Sequence, residues 1–296
     1  RARQGLNSGS GQHGRACVIF GRMPMAARSA LYNVVFKACQ KASRSLKRDF
    51  GEVENLQVSK KGPVDFVSTA DHQAEKILKD ELSRARPEFG FLMEESGEVK
   101  TDDPRGRRWI VDPLDGTLNF LHGIPHFAIS VAAEEKGEIV AGAVYQPLTD
   151  EFFWAEKGQG AFLNDRRLRV SGRRNLQEAV LATGIPVTGL GGDHDRFIAY
   201  QRAIMENCAG VRRFGAAALD LAWVAAGRFD GFWEMRLKPW DIAAGMLLVK
   251  EAGGYISDFQ ARANILESGD VVAANHHLHG PMLKLFRDAK AKAGAA

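Results

Sequence analysis

Residues 109–120 read Trp-Ile-Val-Asp-Pro-Leu-Asp-Gly-Thr-Leu-Asn-Phe (WIVDPLDGTLNF), and their reading decides the fold and the chemistry together. Trp109-Ile110-Val111 has the character of a buried strand. It ends in two carboxylates, Asp112 and Asp115, that bracket Pro113 and Leu114. Gly116 and Thr117 then open what reads as the first turn of a helix. Turn chemistry is one explanation, because Asp-Pro and Asp-Gly both favour turns. The other is that the carboxylates hold something positive.

Working outward, three more apolar segments end in an acid. Phe66-Val67 leads to Asp71, Phe91-Leu92-Met93 to Glu94, and Pro239-Trp240 to Asp241. Each has a local reading: Asp71 and Asp241 can cap helices, Asp112 can form an Asx-turn with Pro113, and Glu94 can lie solvated at a strand end. As a set they are harder to explain locally, because acids gathered at buried strand ends repel one another and resist desolvation unless a cation neutralises them. The candidate ligands are all oxygens, with no Cys or His at ligand spacing, which favours Mg²⁺ over zinc. Carboxylates around two or more Mg²⁺ ions are an arrangement that hydrolyses phosphate esters. Free N–H groups at Gly116-Thr117 suit a phosphate. Thr117 can cap that turn, orient an attacking water, or do both. Haloacid-dehalogenase-type phosphatases carry Asp-x-Asp-Gly-Thr after a strand. The spacing here is one residue longer, which disfavours a nucleophilic aspartate.

The flanking pattern is mixed α and β. A helix is expected from about residue 26 to 48, with Leu31, Val34, Val35, Ala38, Ala42 and Leu46 on one face. A hairpin is expected around Gly62-Pro63, a helix ending at Pro87, and a short strand before Glu94. Paired strands follow around Lys136-Gly137 and within 151–164. The second half alternates: strand 179–182, helix 194–206, strand 211–213, helix 216–226, strand 229–235, helix 241–252. Strands near 255 and 271–274 precede a last helix. Strands with helices on both sides predict a layered α/β or α+β sandwich.

The chain has 296 residues, 45% of them hydrophobic, enough for a substantial core. No apolar run approaches the roughly 18 residues of a membrane span. Cys17, Cys39 and Cys208 are far apart and form no CxxC pair, which fits a reducing compartment such as the cytoplasm. The net charge is +4, but residues 1–48 hold ten of the 40 Lys and Arg and none of the 36 Asp and Glu, so residues 49–296 carry −6. A nucleic-acid surface is therefore unsupported outside the N-terminus. Residues 1–24 lack periodicity and read as a disordered leader, with Met23 or Met25 as candidate starts and an organellar transit peptide as the other reading. Residues 25–296 read as one domain, with approximate halves 25–173 and 174–296.

Together WIVDPLDGTLNF, the upstream Met-Glu-Glu-Ser at 93–96 and the downstream Trp-Asp-Ile-Ala-Ala-Gly at 240–245 with Glu-Ala-Gly-Gly at 251–254 resemble the inositol monophosphatase family, over about residues 28–280. The resemblance implies a five-layer αβαβα sandwich of the sugar-phosphatase type. It also implies a homodimer and a lithium-sensitive phosphomonoesterase using two or three Mg²⁺ ions per subunit. Position by position, it makes Glu94, Asp112, Asp115, Asp241 and the Leu114 carbonyl the metal ligands. Thr117 paired with Asp71 would activate water, and Gly116 with Thr117 would hold phosphate. Asp115, Gly215, Ala217 and Glu234 would contact the polyol, and Lys60 would lie near an outer metal. Leu118 and Arg236 depart from the family pattern, and Arg236, two residues after Glu234, bears on polyol preference. The leading substrate is myo-inositol monophosphate. Histidinol phosphate, fructose bisphosphate and 3′-phosphoadenosine nucleotides are the alternatives, and a regulatory partner of the transcription machinery is a second class. His122, His126 and the five tryptophans read as structural.

Overall fold

Alternation along the strands decides which layer each side chain joins. In the computed structural model, which describes residues 28–52, 58–60, 66–186 and 194–293, the hairpin β1 (Val58–Lys60) and β2 (Phe66–Ser68) comes first. It is followed by β3 (Gly90–Met93), β4 (Gly97–Val99), β5 (Arg108–Asp115), β6 (Ala128–Glu135), β7 (Glu138–Gln146), β8 (Glu151–Glu156), β9 (Gly160–Leu163) and β10 (Arg166–Arg167). These eight form one sheet in the order β10-β9-β8-β7-β6-β5-β3-β4, antiparallel except where β3 runs parallel to β5. The second sheet holds β11 (Val180–Thr183), β12 (Gly210–Arg212), β13 (Gly231–Glu234), β14 (Tyr255–Ser257) and β15 (Val271–Ala274), ordered β12-β11-β13-β15-β14.

Helices fill three layers around the two sheets. Helices α1 (Ala30–Phe50) and α2 (Thr69–Ala85) cover the outer face of the large sheet, where Trp109, Val111, Ile129 and Val131 meet Val35, Ala42, Leu78 and Leu82. The short α3 (Thr117–Leu121) follows β5, and α4 (His194–Met205) comes after β11. Helices α5 (Ala217–Ala225) and α6 (Pro239–Glu251) lie between the sheets against Ile110, Val144 and Phe153 on one side and Phe232 and Ala273 on the other. After the one-turn α7 (Ile265–Ser268), α8 (His279–Ala293) joins α4 on the outer face of the small sheet, where Trp233 and Val272 meet Tyr200 and Phe286. Ile110 thus faces one layer and its neighbours Trp109 and Val111 the other, as a period of two requires. The result is the expected αβαβα sandwich.

Two elements differ from the sequence reading. The motif strand does not stop at Val111: β5 continues to Asp115 across an irregularity in its pairing with β6. Helix α6 begins at Pro239, which takes the first helical position, so Asp241 is its third residue and not its cap. The end of β5 is buried, and α6 is buried from Ile242 onward, so apolar composition leaves neither boundary a polar mark. Among the described residues no helix is long and apolar enough to cross a membrane, and Cys39 and Cys208 are both free. The expected leader over residues 1–24 and the Gly62-Pro63 turn lie outside the described residues.

Candidate active site

The spacing of Asp112 and Asp115 poses a geometric problem, since residues three apart on a regular strand point to opposite faces. A β-bulge solves it. Asp112 pairs with Ser130 and Asp115 with Ala128, so three steps along β5 match two along β6. The extra residue returns Asp115 to the side that Asp112 occupies. Asp112 Oδ1 stabilises the bulge by accepting the Leu114 N–H at 2.9 Å. The turn reading and the paired-carboxylate reading therefore describe one device.

Neighbouring elements bring the other acids to this point. Strand β3 lies parallel to β5, and at its end the Glu94 N–H donates to Val111 O at 3.2 Å. Helix α6 is pinned to β6 where Ser130 Oγ donates to Trp240 O at 2.9 Å, directly before Asp241. Asp71 and Asp241 occupy equivalent places, each the third residue of its helix reaching back to the cap. Asp71 Oδ2 accepts from Ser68 N at 2.9 Å and Ser68 Oγ at 2.6 Å, and Asp241 Oδ2 accepts from Lys238 N at 2.8 Å. Asp71 Oδ1 remains for Thr117, whose Oγ1 donates to it at 2.9 Å and lies 3.0 Å from Leu114 O.

Electrostatics mark the same cluster. Burial pushes the Asp112 carboxyl well above the carboxylate range, and Glu94, Asp115 and Asp241 push it further. Burial lifts Asp115 to about 7, against the lowering effect of the Ala218 N–H that donates to its Oδ2 at 2.8 Å. Burial also raises Asp71 while its bonds to Ser68 and Thr117 lower it. Asp112 and Asp115 have no basic side chain within ion-pair distance among the described residues. An oxygen-only set of acids that raise one another's carboxyls at Asp112 fits a hard cation. The fit is one of charge and donor type: no three His, Cys, Asp or Glu side chains among the described residues already form a metal cage.

The residues expected to contact the polyol lie near this cluster. Glu234 ends β13 close against Gly184, where an added Cβ would overlap its carboxylate. Burial raises Glu234 well above the usual range, Asp220, Asp241 and Asp115 add to the rise, and Arg213 opposes it. Gly215 and Ala217 lead into α5, whose Ala218 N–H holds Asp115. Gly116 requires its lack of a side chain twice over: its φ is +93°, and a Cβ would stand 3.1 Å from His126 O and 3.3 Å from Ala216 Cβ.

Several sequence expectations are refined. Arg236, at φ +63°, has its N–H 3.4 Å from Asp270 Oδ1 and its charge on Asp270, while Arg213 is the cation whose charge reaches Glu234. Leu118 is exposed. His126 packs between Phe214 and Trp223, with Nε2 3.9 Å from Asp220 Oδ1, a structural place as expected. Lys60 is the residue opposite Phe66 in the hairpin, and its side chain lies outside what is described. Sequence reading missed Ser68, although Ser-x-x-Asp at 68–71 is a capping-box signature. It also did not single out Glu75, nor Arg213 and Asp220, which lie in the same RRFGAAALD stretch (212–220) as Gly215 and Ala217.

A model of the inositol monophosphatase family matches residues 27–291. An inositol-1-monophosphatase of Rhizobium meliloti (strain 1021) is 58% identical over 85% of this chain and 94% of its own. The Nus factor SuhB of Escherichia coli (strain K12) is 42% identical over 87% of this chain and 96% of its own. The crystal structure of the extragenic suppressor protein suhB from Bartonella henselae superposes with a TM-score of 0.84 at 55% identity, covering 87% of this chain and 98% of that one.

Proposed function

Since the chain belongs to the inositol monophosphatase family, we propose that it is a Mg²⁺-dependent hydrolase of small phosphomonoesters, with myo-inositol monophosphate as the leading substrate. The observation that carries this reading is the buried acid set joined through one bulged strand to the Thr117–Asp71 pair. Glu94, Asp112, Asp115, Asp241 and the Leu114 carbonyl would hold the metal. When bound, Mg²⁺ neutralises this charge, acidifies water and stabilises the charge that develops on the phosphate and the leaving oxygen.

The chain's own contribution is positional. Thr117 Oγ1 has one proton for two acceptors, Asp71 Oδ1 and Leu114 O. Given to Asp71, that proton leaves the Thr117 lone pairs free to accept one from the water that attacks phosphorus. Asp71 is held for this by Ser68, so its second oxygen stays aimed at Thr117. Gly116 and Thr117 begin a helical turn, so their N–H groups are not spent on its ladder and can donate to phosphate oxygens. Glu234 accepts from hydroxyls of the alcohol portion, beside Gly215 and Ala217.

The test is phosphate release from myo-inositol 1-phosphate with Mg²⁺ by the wild type and Asp112→Asn; equal rates would end the reading. A panel with histidinol phosphate, fructose 1,6-bisphosphate and a 3′-phosphoadenosine nucleotide then ranks substrates by kcat/KM. The relatives named Nus factor SuhB support a second reading, in which the chain acts by binding the transcription machinery. Complementation of a deletion by the catalytically inactive Asp112→Asn/Asp241→Asn variant separates the two.

A further inference from the structure

Helix α2 carries two buried acids one turn apart, Asp71 and Glu75. Asp71 holds Thr117, and Glu75 has a different target. Its Oε2 accepts the backbone N–H of Glu95 at 2.9 Å, twenty residues along the chain. Glu75 is 5% exposed and has no basic side chain within ion-pair distance among the described residues. A buried carboxylate is an expensive way to satisfy one turn N–H, which water or a local Asn or Ser serves as well. The cost points to a need for position.

The bonded N–H belongs to the residue that directly follows Glu94. On the other side of Glu94, its own N–H is fastened to Val111 O in β5. The two peptides flanking Glu94 are thereby held by different elements, one by the motif strand and one by α2. From the same helix, His72 Nδ1 lies 3.8 Å from Glu95 Oε2, an ion pair only when the imidazole is protonated. Helix α2 thus sets both halves of the site: Asp71 aims Thr117 at the exit of β5, and Glu75 fixes the turn at the exit of β3.

We propose that Glu75 is a positioning residue that orients Glu94 toward Asp112 and so sets the affinity of the site for its divalent cation; this rests on the metal-site reading above. Charge is not the operative property, because the contact is a hydrogen bond to a backbone N–H. Any side chain that presents an acceptor oxygen at the same reach serves, and one that falls short does not.

Mn²⁺ binding without substrate, followed by electron paramagnetic resonance, tests this directly in the full chain. Glu75→Ala is expected to weaken Mn²⁺ binding about 10-fold, within the range usual for partners of ligating groups. It should raise the Mg²⁺ needed for half-maximal activity by the same factor and leave the substrate KM at saturating metal unchanged. Glu75→Gln, whose Oε1 can accept the same N–H, is expected to stay within about 3-fold of wild type. Glu75→Asp keeps the charge and loses the reach, so it should behave as Glu75→Ala and decides the matter where the alanine variant does not fold. Unchanged Mn²⁺ affinity in the Ala or Asp variant, or a Gln variant as weak as Ala, overturns the proposal. Asp112→Asn serves as the control. If it binds Mn²⁺ as tightly as wild type, the metal-site reading itself fails; if it loses binding while Glu75→Ala and Glu75→Asp keep it, only the role of Glu75 fails.

Discussion

Asp115 should be a residue whose replacement stabilises the metal-free protein while removing its activity. Burial and the neighbouring acids hold its carboxyl at about 7, against 3.8 for the free side chain. The folded chain therefore keeps a proton that the unfolded chain gives up across that interval. Stability contributed by a raised carboxyl falls as pH rises from about 4 and levels off above about 7. At about 1.4 kcal/mol for each pH unit between the two values, the raised carboxyl costs the folded state about 4 kcal/mol at pH 8 and less than about half of that at pH 5, where the folded side chain keeps its proton. Asp115→Asn removes that cost and retains an oxygen for the Ala218 N–H. Urea unfolding in EDTA should show the variant more stable than wild type, with a gain at pH 8 larger than at pH 5 by about 2 to 3 kcal/mol. Mg²⁺ should close the gap by stabilising the wild type alone. An Asn variant no more stable than wild type at pH 8, or a gain independent of pH, refutes the reasoning.

Other perturbations address single contacts. Thr117→Ala should lower kcat by about 10²-fold or more with little change in KM, and Thr117→Ser should recover most of it, since only the hydroxyl that meets Asp71 matters. Arg213→Gln should lower kcat/KM for fructose 1,6-bisphosphate relative to myo-inositol 1-phosphate by about 3- to 10-fold, because the guanidinium, with Nη1 3.1 Å from the Cβ position of Gly215, offers a charge that a second anionic group uses. Equal effects on both substrates would rule out a role for Arg213 in substrate preference. Gly116→Ala should lower the unfolding free energy by about 1–3 kcal/mol, read from denaturant midpoints, through the +93° φ and the contacts at His126 O and Ala216 Cβ.

Much of the site was legible because its groups sit beside strong local signals. An apolar strand ending in acids announces Asp112 and Asp115, and the same pattern announces Glu94, Asp71 and Asp241. The boundary of β5 was not legible, because a bulge is a property of two paired strands and β6 supplies half of it. The start of α6 was hidden for a related reason. Ile242 through Val249 are all buried, so the helix has no polar face to mark its period.

The supporting residues show the limit more sharply. Glu75 and Arg213 look like ordinary surface charges in the sequence, and only packing gives them targets. Arg236 is two residues from Glu234 in the sequence, its left-handed backbone brings its N–H to Asp270, and Arg213 from another strand end adds a charge that opposes the rise at Glu234. The sequence by itself determined the layered class, the acids and the Gly116-Thr117 turn, because periodicity and motif spacing act within a few residues. Tertiary structure decided which face Asp115 joins, what Asp71 and Glu75 hold, and that the charge of Arg213 reaches Glu234. Each of those depends on segments well separated along the chain, and no local pattern encodes the distance between them.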